Sequence, residues 1–380
     1  MPVKDVVHLD AADLKQIEAQ LMEWRQQMPF MGVVAFLPET ELPRLTDVQS
    51  LFRHHAIPLA GALFPALILE SRFQSSGILL FCFDQMPRYL LQDNLIQQGD
   101  GLTEVSQLFA GKVMEQLDDD ENSTTLFLLF DAMLPNIGRI LEDVYLELAD
   151  RVHYMGVNAG SESFKPMPCL FDSERVIQNG LLALLLPDHQ GAALEHGYGV
   201  PEKLIAATST EGNRIISIDW RPAFEVYAER VKAQYGVEIT SANFYQYSVH
   251  FPFGIIRADR EVLVRIPVAM MEDGSLFCVG EIPPNAVLTL LEAPQGDSQH
   301  TAELLADRFV TTPDGVVLTF YCAGRRLHLG TDAAQAELQS LGSRLGKMRL
   351  YGALSLGEIG SSRRGGYPLF HNAALILSRI

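Results

Sequence analysis

Apolar positions at helical spacing open the chain. Leu14, Ile17, Leu21 and Trp24 recur on one face of the stretch from Asp13 to Gln27, and the continuous apolar run GVVAFLP follows it. The first pattern predicts an amphipathic helix, the second a strand covered on both faces. Asp47 to His54 reads as a short helix, and IPLAGALFPALIL and GILLFCFD read as strands, the latter opened by the turn signal Ser75-Ser76-Gly77. The plan then starts again with a helix around Glu104 to Leu117, a strand TLFLLFDAML, a helix from Ile137 to Ala149 and the strand YMGVNAGSE. Towards the end of the chain a helix from Asp332 to Leu345 leads into YGALSLGEIG and FHNAALILS.

The repetition is most visible at a glycine. Gly61, Gly156 and Gly352 each sit near the start of an apolar strand that follows a helix, so the chain carries a helix, strand, glycine-strand unit more than once. Glycine in a strand interior fits a close backbone approach or a bulge. The expected fold is α/β with mixed α+β character: mixed sheets flanked by helices. With 380 residues, two domains are expected, residues 1–212, internally duplicated, and residues 213–380.

Charge narrows the partners. The chain has 47 acidic and 29 basic residues, a net charge of −18, and that field repels nucleic acid and anionic membranes. Residues 341–380 run the other way, with Arg344, Lys347, Arg349, Arg363, Arg364 and Arg379 against Glu358; the contrast suits docking on the acidic body or an anionic ligand nearby. Asp5 and Asp10 interrupt what a signal peptide would need to be apolar, and no run reaches the roughly 18 apolar residues of a membrane span, so a cytoplasmic protein is expected. Cys82, Cys169, Cys278 and Cys322 are scattered without a CxxC pair, which signals neither a zinc site nor a disulfide framework.

Catalytic motifs come close and miss. Ser355 has Ala353 where a nucleophile elbow requires glycine, and GSRLGK, from Gly342 to Lys347, is followed by Met348 where a phosphate loop requires Ser or Thr. No HExxH spacing occurs. An enzyme is therefore not expected.

The segments in their order carry a resemblance. GEIG at 357–360 followed by FHNAALIL at 370–377 resembles the end of the C-terminal domain of the FIST family, and LAGALFP and MGVNAGSE resemble its N-terminal domain. GNRIISIDWRPAFEVYAERV, from Gly212 to Val231, is similar to the junction between the two, and HFPFGI, VRIPV and TFYCAGRR also fit. The resemblance implies a sensory protein that binds a small ligand, such as an amino acid, and signals to a separate histidine kinase or cyclic-di-GMP enzyme. Some stand-alone bacterial members bind haem and sense nitric oxide, which makes haem b an expected cofactor of that reading. An interaction scaffold without a ligand is the alternative.

Candidate residues follow. Asn158, Ser161 and Glu162 lie after Gly156, and Glu358 holds the matching place in the last copy; with His371 and Asn372 they form the expected polar lining of a ligand pocket, or else cap loops at a sheet edge. NFYQYSVHFPFG, from Asn243 to Gly254, reads as a strand of period two with His250 on its polar side. A neutral imidazole is a suitable axial ligand for haem iron, so His250, then His153, are the candidates, with Arg363 and Arg364 for the propionates. A structural histidine is the competing reading at both positions.

Overall fold

The computed structural model describes residues 3–95, 100–117, 124–187, 189, 191–258, 261–292, 299–309, 315–360 and 367–380. The first unit begins with strand β1 (Asp5–Leu9), helix α1 (Leu14–Gln27) and strand β2 (Gly32–Pro38). The Asp13 carboxylate caps α1 by accepting the Gln16 N–H at 3.0 Å, and Ile17, Leu21 and Trp24 form its buried face. Helix α2 (Leu45–His54) leads to β3 (Leu59–Phe64), a hairpin of β4 (Leu67–Leu69) and β5 (Arg72–Gln74), and β6 (Ile78–Phe83). The second unit has the same parts: β7 (Tyr89–Gln92), α3 (Asp100–Met114), β8 (Thr125–Asp131), α4 (Ile137–Leu148), β9 (His153–Ala159), the hairpin β10 (Leu170–Asp172) and β11 (Val176–Ile177), and β12 (Leu181–Leu186).

The third unit is interrupted. Its edge strand β13 (Ala193–Glu195) is followed by an inserted module containing β14 (Ile205–Glu211), β15 (Arg214–Ile218), β16 (Arg221–Pro222), α5 (Ala223–Tyr235), α6 (Phe244–Ser248), β17 (Phe253–Ile256), β18 (Val262–Arg265), β19 (Pro267–Met270), β20 (Leu276–Cys278) and β21 (Val287–Leu290). A bridge between Gly199 and Glu292 closes its neck. The unit then resumes with α7 (Gln299–Arg308), β22 (Val316–Cys322), α8 (Ala323–Leu329), α9 (Thr331–Arg344), β23 (Arg349–Ser355), the hairpin β24 (Glu358–Gly360) and β25 (Leu369–His371), and β26 (Leu375–Arg379).

Each unit lends its hairpin to a neighbour. The sheets run β1-β6-β2-β3-β10-β11, β7-β12-β8-β9-β24-β25 and β13-β26-β22-β23-β4-β5, so the second unit completes the first, the third completes the second and the first completes the third. The exchange closes a ring. Gly61, Gly156 and Gly352 occupy one register position in it, opposite Ala35, Leu128 and Thr319 on the parallel strand and Phe171, Ile359 and Ile68 on the lent one. A Cβ at Gly61 would stand 1.9 Å from the Ala35 carbonyl oxygen, and at Gly352 1.8 Å from that of Thr319, which is why these positions hold glycine. Where the units meet, Phe36, Phe64 and Phe127 each place their ring within 6 Å of Phe320.

Two readings of the pattern change. IPLAGALFPALIL, YGALSLGEIG and FHNAALILS are each two strands in different sheets, because the chain leaves one sheet for the next midway through each run. Residues 243–254 do not form one strand: Phe244–Ser248 is helical, which buries Phe244 and Ser248, four residues apart, and the strand starts only after Pro252. The expected boundary at 212/213 falls in the turn between β14 and β15. Among the described residues no helix is long and apolar enough to cross a membrane.

Candidate functional site

Register alignment of the three units shows where one departs from the others. Beside the glycine strands, Leu63 and Leu354 correspond to Asn158, and on the lent hairpins Leu67 and Leu170 correspond to Glu358. The partners of those hairpin residues are Gln74, Ile177 and His371. The junction between the second and third units is therefore polar where the same positions elsewhere are largely apolar.

Each polar group there is buried. Glu358 has no exposed surface; the Ser355 hydroxyl donates to it at 2.6 Å and the Ala374 N–H at 3.2 Å. Desolvation raises its pKa to about 8, against the lowering effect of these hydrogen bonds and of the Cys322 thiol. His371 is pushed down to about 3, first by burial and then by His196 and Arg265, so its ring is neutral. Neither ring nitrogen of His371 has a hydrogen-bond partner, nor have Asn158 Oδ1 and Asn372 Nδ2. Buried polar atoms without partners mark a place for water or a ligand.

Asn372 opens onto a cavity of about 240 Å³ between the inserted module and the third unit. Val249, Ile266 and Val268 wall it on the module side, and Cys322, Leu327 and Leu356 on the other. At its edge Glu162 pairs with Arg326 at 2.7 Å, and the Arg326 guanidinium lies over the Phe73 ring. Behind the cavity Arg325, fully buried, holds the turn after β25: it pairs with Glu337 at 2.6 Å and donates to the carbonyls of His196 and Ala373. A wider, open groove bordered by Arg25, Phe30 and Met86 holds none of the candidate residues.

The expected polar set is thus divided. Glu162 and Asn372 line the cavity, and Asn158, Glu358 and His371 lie in the sheet junction. Ser161 turns to Ser163, with their hydroxyl oxygens 2.9 Å apart. Glu358 does not match Glu162 or Asn158 structurally. The second unit has a longer passage from its glycine strand to its hairpin, so Glu162 falls in a loop while Glu358 is already in a strand. Cys322 and Arg326, at the passage from β22 into α8, were missed because the cavity they border has its second wall in the inserted module, far from them in sequence. Ser355, three residues before Glu358, was present in the sequence as a signal.

The cavity does not bring the expected haem ligands together. The cavity is below the ~300 Å³ at which pockets for drug-sized molecules begin. His250 sits on the turn after α6 rather than on a strand, with its Nδ1 2.9 Å from that of His328. His153 starts β9, at the far end of that strand from Asn158. Neither histidine lines the cavity. Arg363 and Arg364 lie outside the described residues.

A search of curated proteins returns no match to the chain. Family models do match: the FIST N domain over residues 32–221 and the FIST C domain over residues 223–361, meeting where β16 passes into α5. FIST domains are associated with sensory signal transduction and small-ligand binding. With both of its domain models matched in order along most of the sequence, the chain belongs to the FIST-domain family.

Proposed function

We propose that the protein is a sensor whose cavity takes an amino-acid-like molecule with an apolar side chain, and that a separate signalling protein, such as a histidine kinase or a cyclic-di-GMP enzyme, reads the occupied state. The observation that carries this reading is the unpartnered Asn372 Nδ2 in an otherwise largely apolar cavity lined by Glu162, which pairs with Arg326. The aliphatic walls take the side chain and exclude water. Asn372 Nδ2 donates to an acceptor oxygen of the ligand. At the edge, Arg326 suits a carboxylate and Glu162 an ammonium group, and parting an exposed pair of this kind costs only about 0–1 kcal/mol.

Calorimetry and thermal unfolding with a panel of apolar amino acids, their methyl esters and the corresponding amines test the reading. Binding of the zwitterions is expected, weaker for the esters and amines, and lost in Asn372→Leu. If no panel member binds the wild-type protein at millimolar concentration, the reading is wrong and the scaffold alternative takes its place. Protein made with added haem precursor is expected to show no Soret band. A band that His250→Ala abolishes would replace the amino-acid reading with haem-based nitric oxide sensing.

A further inference from the structure

An imidazole pair stands just outside the cavity lining. His250, from the inserted module, and His328, from α8, bring their Nδ1 atoms to 2.9 Å, with ring centroids 5.0 Å apart. As neutral rings they share one proton, so one Nδ1 donates and the other accepts. The rings packed against the pair are Phe251 on the module side and Tyr198 on the other, and the charged side chain that bears on it is the Arg325 guanidinium, which acts on His328.

Two nitrogen lone pairs converging from separate elements can hold a metal ion in place of that proton. We propose that His250 and His328 bind a divalent d-block cation such as Zn²⁺ or Cu²⁺ through their Nδ1 atoms, bridging the module to α8. Neutral nitrogen donors select such ions over Mg²⁺ or Ca²⁺, which require oxygen. Zinc–nitrogen bonds of about 2.0–2.1 Å on a tetrahedral ion place the two nitrogens about 3.3 Å apart. The pair needs to open by only a few tenths of an ångström, and His250, half-buried on a turn, has room to do so. The proton on the donor Nδ1 moves to Nε2 by tautomer exchange through water, so both nitrogens coordinate without net proton release. Burial lowers both imidazole pKa values, that of His328 to about 4, which keeps the rings in their ligating form at neutral pH. Among the described residues no group of three metal-ligating side chains gathers, so water completes the coordination and the affinity is modest.

The ion would act on the cavity. Ser248 and Val249 precede His250, Leu327 precedes His328, and all three line it, so a bridging ion ties its two walls together.

Titration of the chelator-treated full chain with Zn²⁺, followed by calorimetry, tests the site, with Cu²⁺ paramagnetic resonance to count coordinated nitrogens. The expected result is one ion bound at micromolar Kd and two nitrogens on copper, with affinity falling at least about tenfold in His250→Gln and in His328→Ala. His54→Ala, in the other close imidazole pair, is expected to bind as wild type does. Because His250 lies on a half-exposed turn, His250→Gln decides the matter if His328→Ala fails to fold. Wild-type affinity in His250→Gln, or no zinc binding at about 100 μM, overturns the proposal. The site stands apart from the amino-acid reading: zinc titration needs no amino acid, and amino-acid binding is measured with chelator present.

Discussion

Where the second unit lends its hairpin to the first, Leu170 lies against Ala62 with Leu63 beside it. Where the third lends its hairpin to the second, Glu358 lies against Val157 with Asn158 beside it. The backbone pairing is the same, and both places are buried. Apolar filling of such a position contributes roughly 1.5–3 kcal/mol per leucine, whereas a buried carboxyl with no cation bonded to it costs stability. The polar junction is thus the less stable solution to a problem that the chain solves with leucine elsewhere. Positions that break a local rule in this way are where function is expected, and this one borders the cavity through Leu356 and Asn372.

Moving charge between the junctions should have the largest effect. Leu67→Glu puts a carboxylate where Glu358 sits in the other junction but without Ser355 or the Ala374 N–H to receive it, and should cost on the order of 3–5 kcal/mol in chemical denaturation. A cost below about 1 kcal/mol would mean that the junctions are interchangeable. The polar junction should also make stability depend on pH. Glu358 in the folded chain has a pKa near 8, above the ordinary carboxylate range, so the folded state keeps a proton that the unfolded chain has lost. Its effect on stability is absent at low pH and turns destabilising as pH rises towards 8, with a slope of at most about 1.4 kcal/mol per pH unit. Denaturation at pH 5, 6, 7 and 8 should show this decline in the wild type and a flatter profile in Glu358→Gln; parallel profiles would mean that Glu358 is ionised throughout. The smallest effect is an amide exchange. Asn158→Leu should change stability by less than about 1 kcal/mol, whereas Leu63→Asn, which buries an amide among apolar groups, should lose about 1–3 kcal/mol. Equal losses would show that Asn158 has partners as good as a leucine's.

Much of this was legible in the sequence. The glycines at 61, 156 and 352 could be aligned because each must let a neighbouring carbonyl approach, a constraint written into one residue type. The exchange between sheets was not legible. A run such as LAGALFPALIL is apolar throughout, since both of its strands are covered on both faces, and hydrophobic patterning does not record where the chain changes sheets. The helix at Phe244–Ser248 was misread because five alternating residues satisfy a strand's period as well as a helix's buried pair. For the site, Asn372 and Glu358 stood out as polar residues in apolar runs. The cavity did not, because its second wall, Val249 to Val268, arrives with a module inserted far earlier in the chain.

The ring of lent hairpins also fixes an order of events during synthesis. The β4–β5 hairpin leaves the ribosome early, yet its sheet partner, β23, is made only near the end of the chain. Until then the first unit holds a hairpin with no sheet to join, and its own β3 edge stays open until Leu170 emerges. Such long-range pairings are slow to form and expose strand edges to other chains while they wait. Assembly therefore cannot finish unit by unit from the N-terminus. The ring closes once, when Gly352 meets Ile68, and a nascent chain released before that point carries an unpaired edge into the cell.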